Sequence, residues 1–135
     1  MVKYLYIFLL VGCAPKEDCD DSENTKGDES FLLASLINSE ADTTDLLDMS
    51  LVASVVLNRV DHHLFPCDLS GVIFEEGQFI GAETNRFRPT QKTLWAAHNV
   101  DRDTQVIFFI KKGQKFDFPV EYVRSSSVHN FYKLK

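Results

Sequence analysis

Residues 37–60 read INSEADTTDLLDMSLVASVVLNRV. The second half of this stretch decides the fold. From Leu51 to Leu57 it is apolar on nearly every side, and a helix that is hydrophobic all round belongs in a core. The spacing predicts a helix over Thr44–Val60. Thr44 is read as its cap, and Asp45 suits its first turn, where a negative charge meets the positive end of the helix dipole. Ser50, Ala53 and Ser54 are small enough to admit a neighbouring helix. Just upstream, Ser30 is read as the cap of another helix, FLLASLINSE. There Leu33, Leu36, Ile37 and Glu40 fall at i, i+3, i+4 and i+7 on one face.

Downstream the chain turns at Phe65-Pro66-Cys67-Asp68, and LSGVIFEE reads as a short helix or turn. Gly77-Gln78-Phe79 follows, then a polar stretch to Pro89. Thr90–Val100 reads as another helix, with Trp95 as a core residue. Gln105–Ile110 (QVIFFI) is rich in β-formers and reads as a strand. Lys112-Gly113 marks a turn, and 116–123 and 128–132 are weaker strand candidates. Helices come first and a small β or irregular region last, so the expected class is α+β, mainly helical.

The 135 residues suit one domain. Apolar residues make up 44% and charged ones 25%, which argues against global disorder. The net charge of −6 makes the chain a poor partner for nucleic acid. No apolar run reaches the ~18 residues that a membrane helix requires. His62, His63, His98 and Cys67 match no standard zinc spacing, and no phosphate-binding glycine loop is present, so neither a metal nor a cofactor is expected.

The acidity is concentrated near the N-terminus, where residues 14–29 carry seven acids and two bases. That segment reads as a solvated linker. Before it, Met1-Val2-Lys3 is a basic start and Tyr4–Val11 an apolar run too short to span a bilayer. Leu10-Val11-Gly12-Cys13 resembles the bacterial lipobox. The resemblance implies a lipoprotein signal peptide over 1–12, a lipidated Cys13, and an acidic tether over 13–29 ahead of a domain over 30–135. The protein is then expected in the cell envelope, held to a membrane through Cys13 and facing the periplasm or the cell exterior. Cys19 and Cys67 either pair in an oxidising compartment or remain free thiols; the sequence leaves both open.

Four elements, taken in order, are similar to a known family. Glu40-Ala41 and Leu57-Asn58-Arg59-Val60 at the family's own separation, then Phe65-Pro66, then GVIFEEGQF (71–79), then VHNFYK (128–133), together resemble the spore cortex-lytic, SleB-type cell wall hydrolases. The resemblance spans about 33–133. Two positions depart from the family pattern: Thr43-Thr44 replaces a Gly-Glu pair, and Asp48 replaces a glycine. The resemblance implies a lysozyme-like domain, of bacterial or phage origin, that cleaves the MurNAc-β-1,4-GlcNAc bond of peptidoglycan. It implies a lytic transglycosylase more than a plain hydrolase, with Glu40 as the catalytic acid and base.

The position of Glu40 suits that role. It continues the apolar stripe of its helix and stands near the helix C-terminus, and both settings disfavour the charged form. A carboxyl that keeps its proton near neutral pH can give it to a departing glycosidic oxygen. A two-carboxylate glycosidase needs a second acid, for which Asp42, Glu75, Glu76 and Glu83 are candidates; a transglycosylase does not. Gln78 is assigned to the cleft as a partner for a sugar amide or hydroxyl, and Phe79 either supports a pyranose ring or fills the core. Asn58 and Arg59 are read as structural residues at the end of the buried helix, and His129 as a structural residue near the cleft. A monomer is expected. The rival reading is an envelope lipoprotein that keeps the fold only to bind glycan or a partner.

Overall fold

Asp45, rather than Thr44, starts the buried helix. Its side chain accepts a hydrogen bond from Leu47 N at 3.0 Å, and the helix runs over Leu46–Asp61. Thr44 instead turns its amide and hydroxyl onto Asp42 Oδ1, at 2.9 and 2.6 Å. The computed structural model describes residues 26–135. The expected signal peptide, the expected lipidation site Cys13, Cys19 and residues 13–25 of the expected tether lie outside the described residues. Cys67 is disulfide-bonded.

Helix α1 spans Lys26–Glu40, α2 Leu46–Asp61, α3 Leu69–Ile73 and α4 Gln91–His98, with a 3-10 turn at Ile80–Glu83. Strands β1 (Phe108–Lys111), β2 (Val120–Ser125) and β3 (His129–Leu134) form an antiparallel sheet in the order β1-β3-β2. The α+β class holds, with helices first and the sheet last. Ser30 is not a cap: α1 starts four residues earlier, and Asp28 and Glu29 occupy its first turn. Thr90 does cap α4, sharing reciprocal hydrogen bonds with Thr93.

The core is built around α2. Val52, Ala53, Ser54, Val55 and Val56 are all fully buried, so the apolar run is enclosed up to Leu57, which is partly exposed. Ser50 and Ser54 receive a loop as well as a neighbouring helix: their hydroxyls accept the amides of Asp101 and Asp103 at 3.3 and 3.0 Å. At the end of α2, Asn58 Nδ2 donates to the carbonyls of Asp103 and Val106, both at 2.7 Å. Arg59 Nε donates to Ile107 O at 2.9 Å. Buried carbonyls need donors, and this Asn-Arg pair supplies them, seating the sheet on the helix. Trp95 departs from expectation: it is 55% exposed. On the short α4 the inward positions are Thr93 and Ala96, and a side chain between them points away.

Candidate active site

Glu40 is the last residue of α1. The chain leaves the helix there, passes through Ala41–Asp45 and enters α2. That loop is clamped from the sheet side. Asp42 Oδ2 accepts Ser127 Oγ at 3.3 Å, and Asp45 Oδ2 accepts Ser127 N at 3.0 Å. Asp48, fully buried, accepts the amide of Asp42 at 2.7 Å, the hydroxyl of Ser126 and Nδ1 of His129 at 2.9 Å. Three aspartates spaced three apart thus bind the turn between β2 and β3 to the loop that follows Glu40.

The result is an open groove of about 520 Å³ with Glu40 in its wall. Asp42, Ile80, Arg86, Lys111 and His129 also line it. The Glu40 carboxyl is held on one side only: Oε1 accepts the amide of Gly81 at 2.8 Å. Oε2 makes no hydrogen bond among the described residues, which leaves it free to carry a proton toward the groove. Burial raises the pKa of this carboxyl above the ordinary 4.5, and this is the largest influence. The Gly81 amide, His129, Lys111 and Arg86 pull it down, in that order, without overcoming burial.

Asp42 behaves in the opposite way. The hydroxyl and amide of Thr44 and the hydroxyl of Ser127 hydrogen-bond its carboxylate and hold it below the usual range. It is the one member of the four candidate second carboxylates that lines the groove; Glu75, Glu76 and Glu83 do not.

Gln78 and Phe79 lie elsewhere, and for Phe79 the core-filling alternative is the one its burial matches. Neither lines the Glu40 groove. Gln78 is only 8% exposed, and its Oε1 accepts Arg59 Nη1 at 3.2 Å. Arg59 is buried, so its guanidinium requires acceptors inside the protein, and Gln78 is drawn inward to be one. Phe79 is buried against the same guanidinium, 5.2 Å from its ring centroid, and stacks on Phe109 at 6.2 Å. Phe109 separates these two residues from the groove, since it borders both.

His129 is 4% exposed and forms part of the groove lining. The edge-on ring of Phe109 lies 5.0 Å away. Sequence reasoning missed its partner, Asp48. The signal was present: an acid within an apolar helix must find donors or stay neutral, and Ser125-Ser126-Ser127 with His129 offers a cluster of them. Gly81, whose amide holds Glu40, carried no sequence signal.

Comparison with known proteins now joins this geometry. A family model for cell wall hydrolases matches residues 44–132, about two thirds of the chain. The match begins just after Glu40. Among solved structures, the chain is similar to the catalytic domain of the Bacillus cereus SleB protein, with a TM-score of 0.72 and 21% identity over 83% of this chain and 94% of that one. It is also similar to the catalytic domain of the germination-specific lytic transglycosylase SleB from Bacillus anthracis, with a TM-score of 0.69 and 22% identity over 83% and 99%. No curated protein matches. These likenesses extend the shared fold over nearly the whole of each SleB domain, and the family match covers more than half of this sequence: the chain belongs to the cell wall hydrolase family.

Proposed function

We propose that this cell wall hydrolase cleaves the MurNAc-β-1,4-GlcNAc bond of peptidoglycan as a lytic transglycosylase, with Glu40 as its single acid and base. The observation that carries the reading is the Glu40 carboxyl itself. Burial pushes it toward the protonated form, the Gly81 amide fixes it through Oε1, and its second oxygen accepts no hydrogen bond among the described residues. In the first step Oε2–H protonates the glycosidic oxygen and the C1–O bond breaks. The substrate's own 2-acetamido group stabilises the cation at C1. Glu40, now a carboxylate, takes the proton of the sugar's 6-hydroxyl. The O6–C1 bond forms, giving a 1,6-anhydro end and restoring the acid.

A hydrolase would use water in place of the 6-hydroxyl and a second carboxylate to activate it. Asp42 is the groove's other acid, but both its oxygens already accept hydrogen bonds that tie the loop together. That favours the one-carboxylate route. The N-terminal pattern adds a lipid anchor on Cys13 and a tether, so that the domain works at the envelope, outside the cytoplasm.

Digestion of purified sacculi followed by mass spectrometry tests this. Anhydro-muropeptides are expected from the wild type and none from a folded Glu40→Gln variant. Reducing ends would assign the hydrolase instead. Sacculi that bind the wild-type chain without releasing fragments would leave the binding lipoprotein as the answer.

A further inference from the structure

Two departures from the family pattern meet in one place. Thr44 adds no carboxylate to the loop beyond Asp42 and Asp45, yet Asp48 supplies one at a position where the family resemblance calls for glycine. Asp48 is wholly enclosed, and its three partners are the amide of Asp42, the hydroxyl of Ser126 and the imidazole of His129. Nδ1 of His129 lies 2.9 and 3.1 Å from the two carboxylate oxygens. An ionised carboxylate only accepts, so Nδ1 carries hydrogen and Nε2 is left as the reactive face of the ring. Nε2 makes no hydrogen bond among the described residues, and His129 lines the groove that holds Glu40.

We infer that Asp48 and His129 form a positioning couple for Glu40, in which the buried carboxylate locks the imidazole with Nε2 turned to the groove beside the acid. Resting on the reading of Glu40 as acid and base, the inference gives the couple a task in that cycle. After Glu40 has given up its proton, its carboxylate must persist in a half-buried setting until the 6-hydroxyl arrives. With Nε2 carrying a proton as well as Nδ1, the fixed ring is a cation in the same groove and favours that charge, together with Lys111 from the end of β1, Arg86 from the loop after the 3-10 turn, and the Gly81 amide. Asp42 is the opposing charge on the groove. Lys111 and Arg86 are exposed; Asp48 makes His129 the buried, locked member of the set.

The imidazole tautomer is read directly by 15N NMR of the full chain. The neutral ring of wild-type His129 is expected as the Nδ1–H form, and Asp48→Asn is expected to convert it to a mixture. The carboxyl 13C titration of Glu40, assigned by its loss in Glu40→Gln, is expected to move to higher pH in His129→Gln. On soluble glycan strands, Asp48→Asn is expected to lower kcat by about 10- to 100-fold, as when other carboxylates that orient an imidazole are removed, with KM nearly unchanged. A wild-type Nε2–H tautomer overturns the couple, as does a Glu40 titration unmoved in folded His129→Gln. So does a folded Asp48→Asn with wild-type kcat. A wild-type chain that releases no fragments sinks the enzymatic reading alone, because the tautomer and the titration still decide the couple.

Discussion

Replacing Gly81 with alanine tests whether the place of the Glu40 carboxyl, and not merely its presence, sets the rate. A Cβ at residue 81 would lie 2.6 Å from Glu40 Oε1, 2.7 Å from Ser39 Oγ and 2.8 Å from Ser39 Cβ. Ordinary contact begins near 3.4 Å. The carboxyl oxygen must therefore retreat by about 0.8 Å, and Ser39 Cβ by about 0.6 Å. Ser39 Cβ is fixed to the α1 backbone and cannot swing aside. Glu40 can, but swinging breaks the 2.8 Å bond from the Gly81 amide; if it stays, the 3-10 turn must shift and take that amide with it. Either way the acid is misplaced by close to an ångström, which costs on the order of 10²-fold in rate. Overpacking adds a stability loss of about 1–3 kcal/mol. Fragment release from sacculi reads the first and thermal unfolding the second. Gly113→Ala is the matched control. Its φ is +88° and nothing lies within 4 Å of the added methyl, so it is expected to lose roughly 1–2 kcal/mol through backbone strain and keep its rate. A folded Gly81→Ala protein with more than half the wild-type rate would refute the geometric argument.

The ionisation of Glu40 also sets a pH dependence of stability. Its pKa is raised in the folded state, so ionising it favours unfolding, and wild-type stability declines as pH rises from the ordinary carboxyl range through the folded value. Glu40→Gln removes that decline: its melting temperature is expected above wild type at pH 7–8, converging below about pH 4. A deficit of equal size at every pH would contradict the assignment. Gln78→Ala separates a core role from a cleft role. It removes an acceptor from the buried Arg59 and is expected to cost about 1–3 kcal/mol in denaturant unfolding, with KM within a factor of two. A raised KM with unchanged stability would return Gln78 to the substrate.

The parts of this fold that could be read from sequence are those governed by short-range rules. Leu51–Leu57 had to be buried because no face of that helix is polar. Thr90 and Thr93 could cap a helix locally, and FFI at 108–110 had β-forming side chains on both faces. Glu40 was legible as a candidate from one helix period plus a family pattern. Pairings across 40 to 80 residues were not. Asp45 displaced Thr44 as cap because Ser127, far along the chain, takes its second oxygen. Gln78 looks like a sugar ligand until Arg59 is known to be buried beside it, and a guanidinium must be satisfied before a surface can be decorated. Trp95 reads as core by size alone, yet the short α4 turns only Thr93 and Ala96 inward. For Asp45 and Gln78 the partner that decided the direction of the side chain lay on another element.

On the proposed mechanism a lone acid faces two opposed demands, and the groove meets both by distance. Before cleavage Glu40 must keep its proton; afterwards it must remain charged long enough to act as a base. Burial serves the first and is the stronger influence. His129, Lys111 and Arg86 serve the second. Among the described residues Glu40 makes no ion pair, although Arg86 and Lys111 line the same groove. A direct pair would invert the balance, since a cation in contact typically lowers a carboxyl by more than partial burial raises it, and the proposed acid would rest as a carboxylate with nothing to donate. Coulomb attraction falls only as the inverse of distance, whereas a hydrogen-bonded pair needs contact. Cations held beyond contact therefore ease the charged state without creating it. This is also why the fixed charges of the site are set on the sheet and on the loop after the 3-10 turn, and not on α1 itself, where a basic residue one turn from Glu40 would reach it.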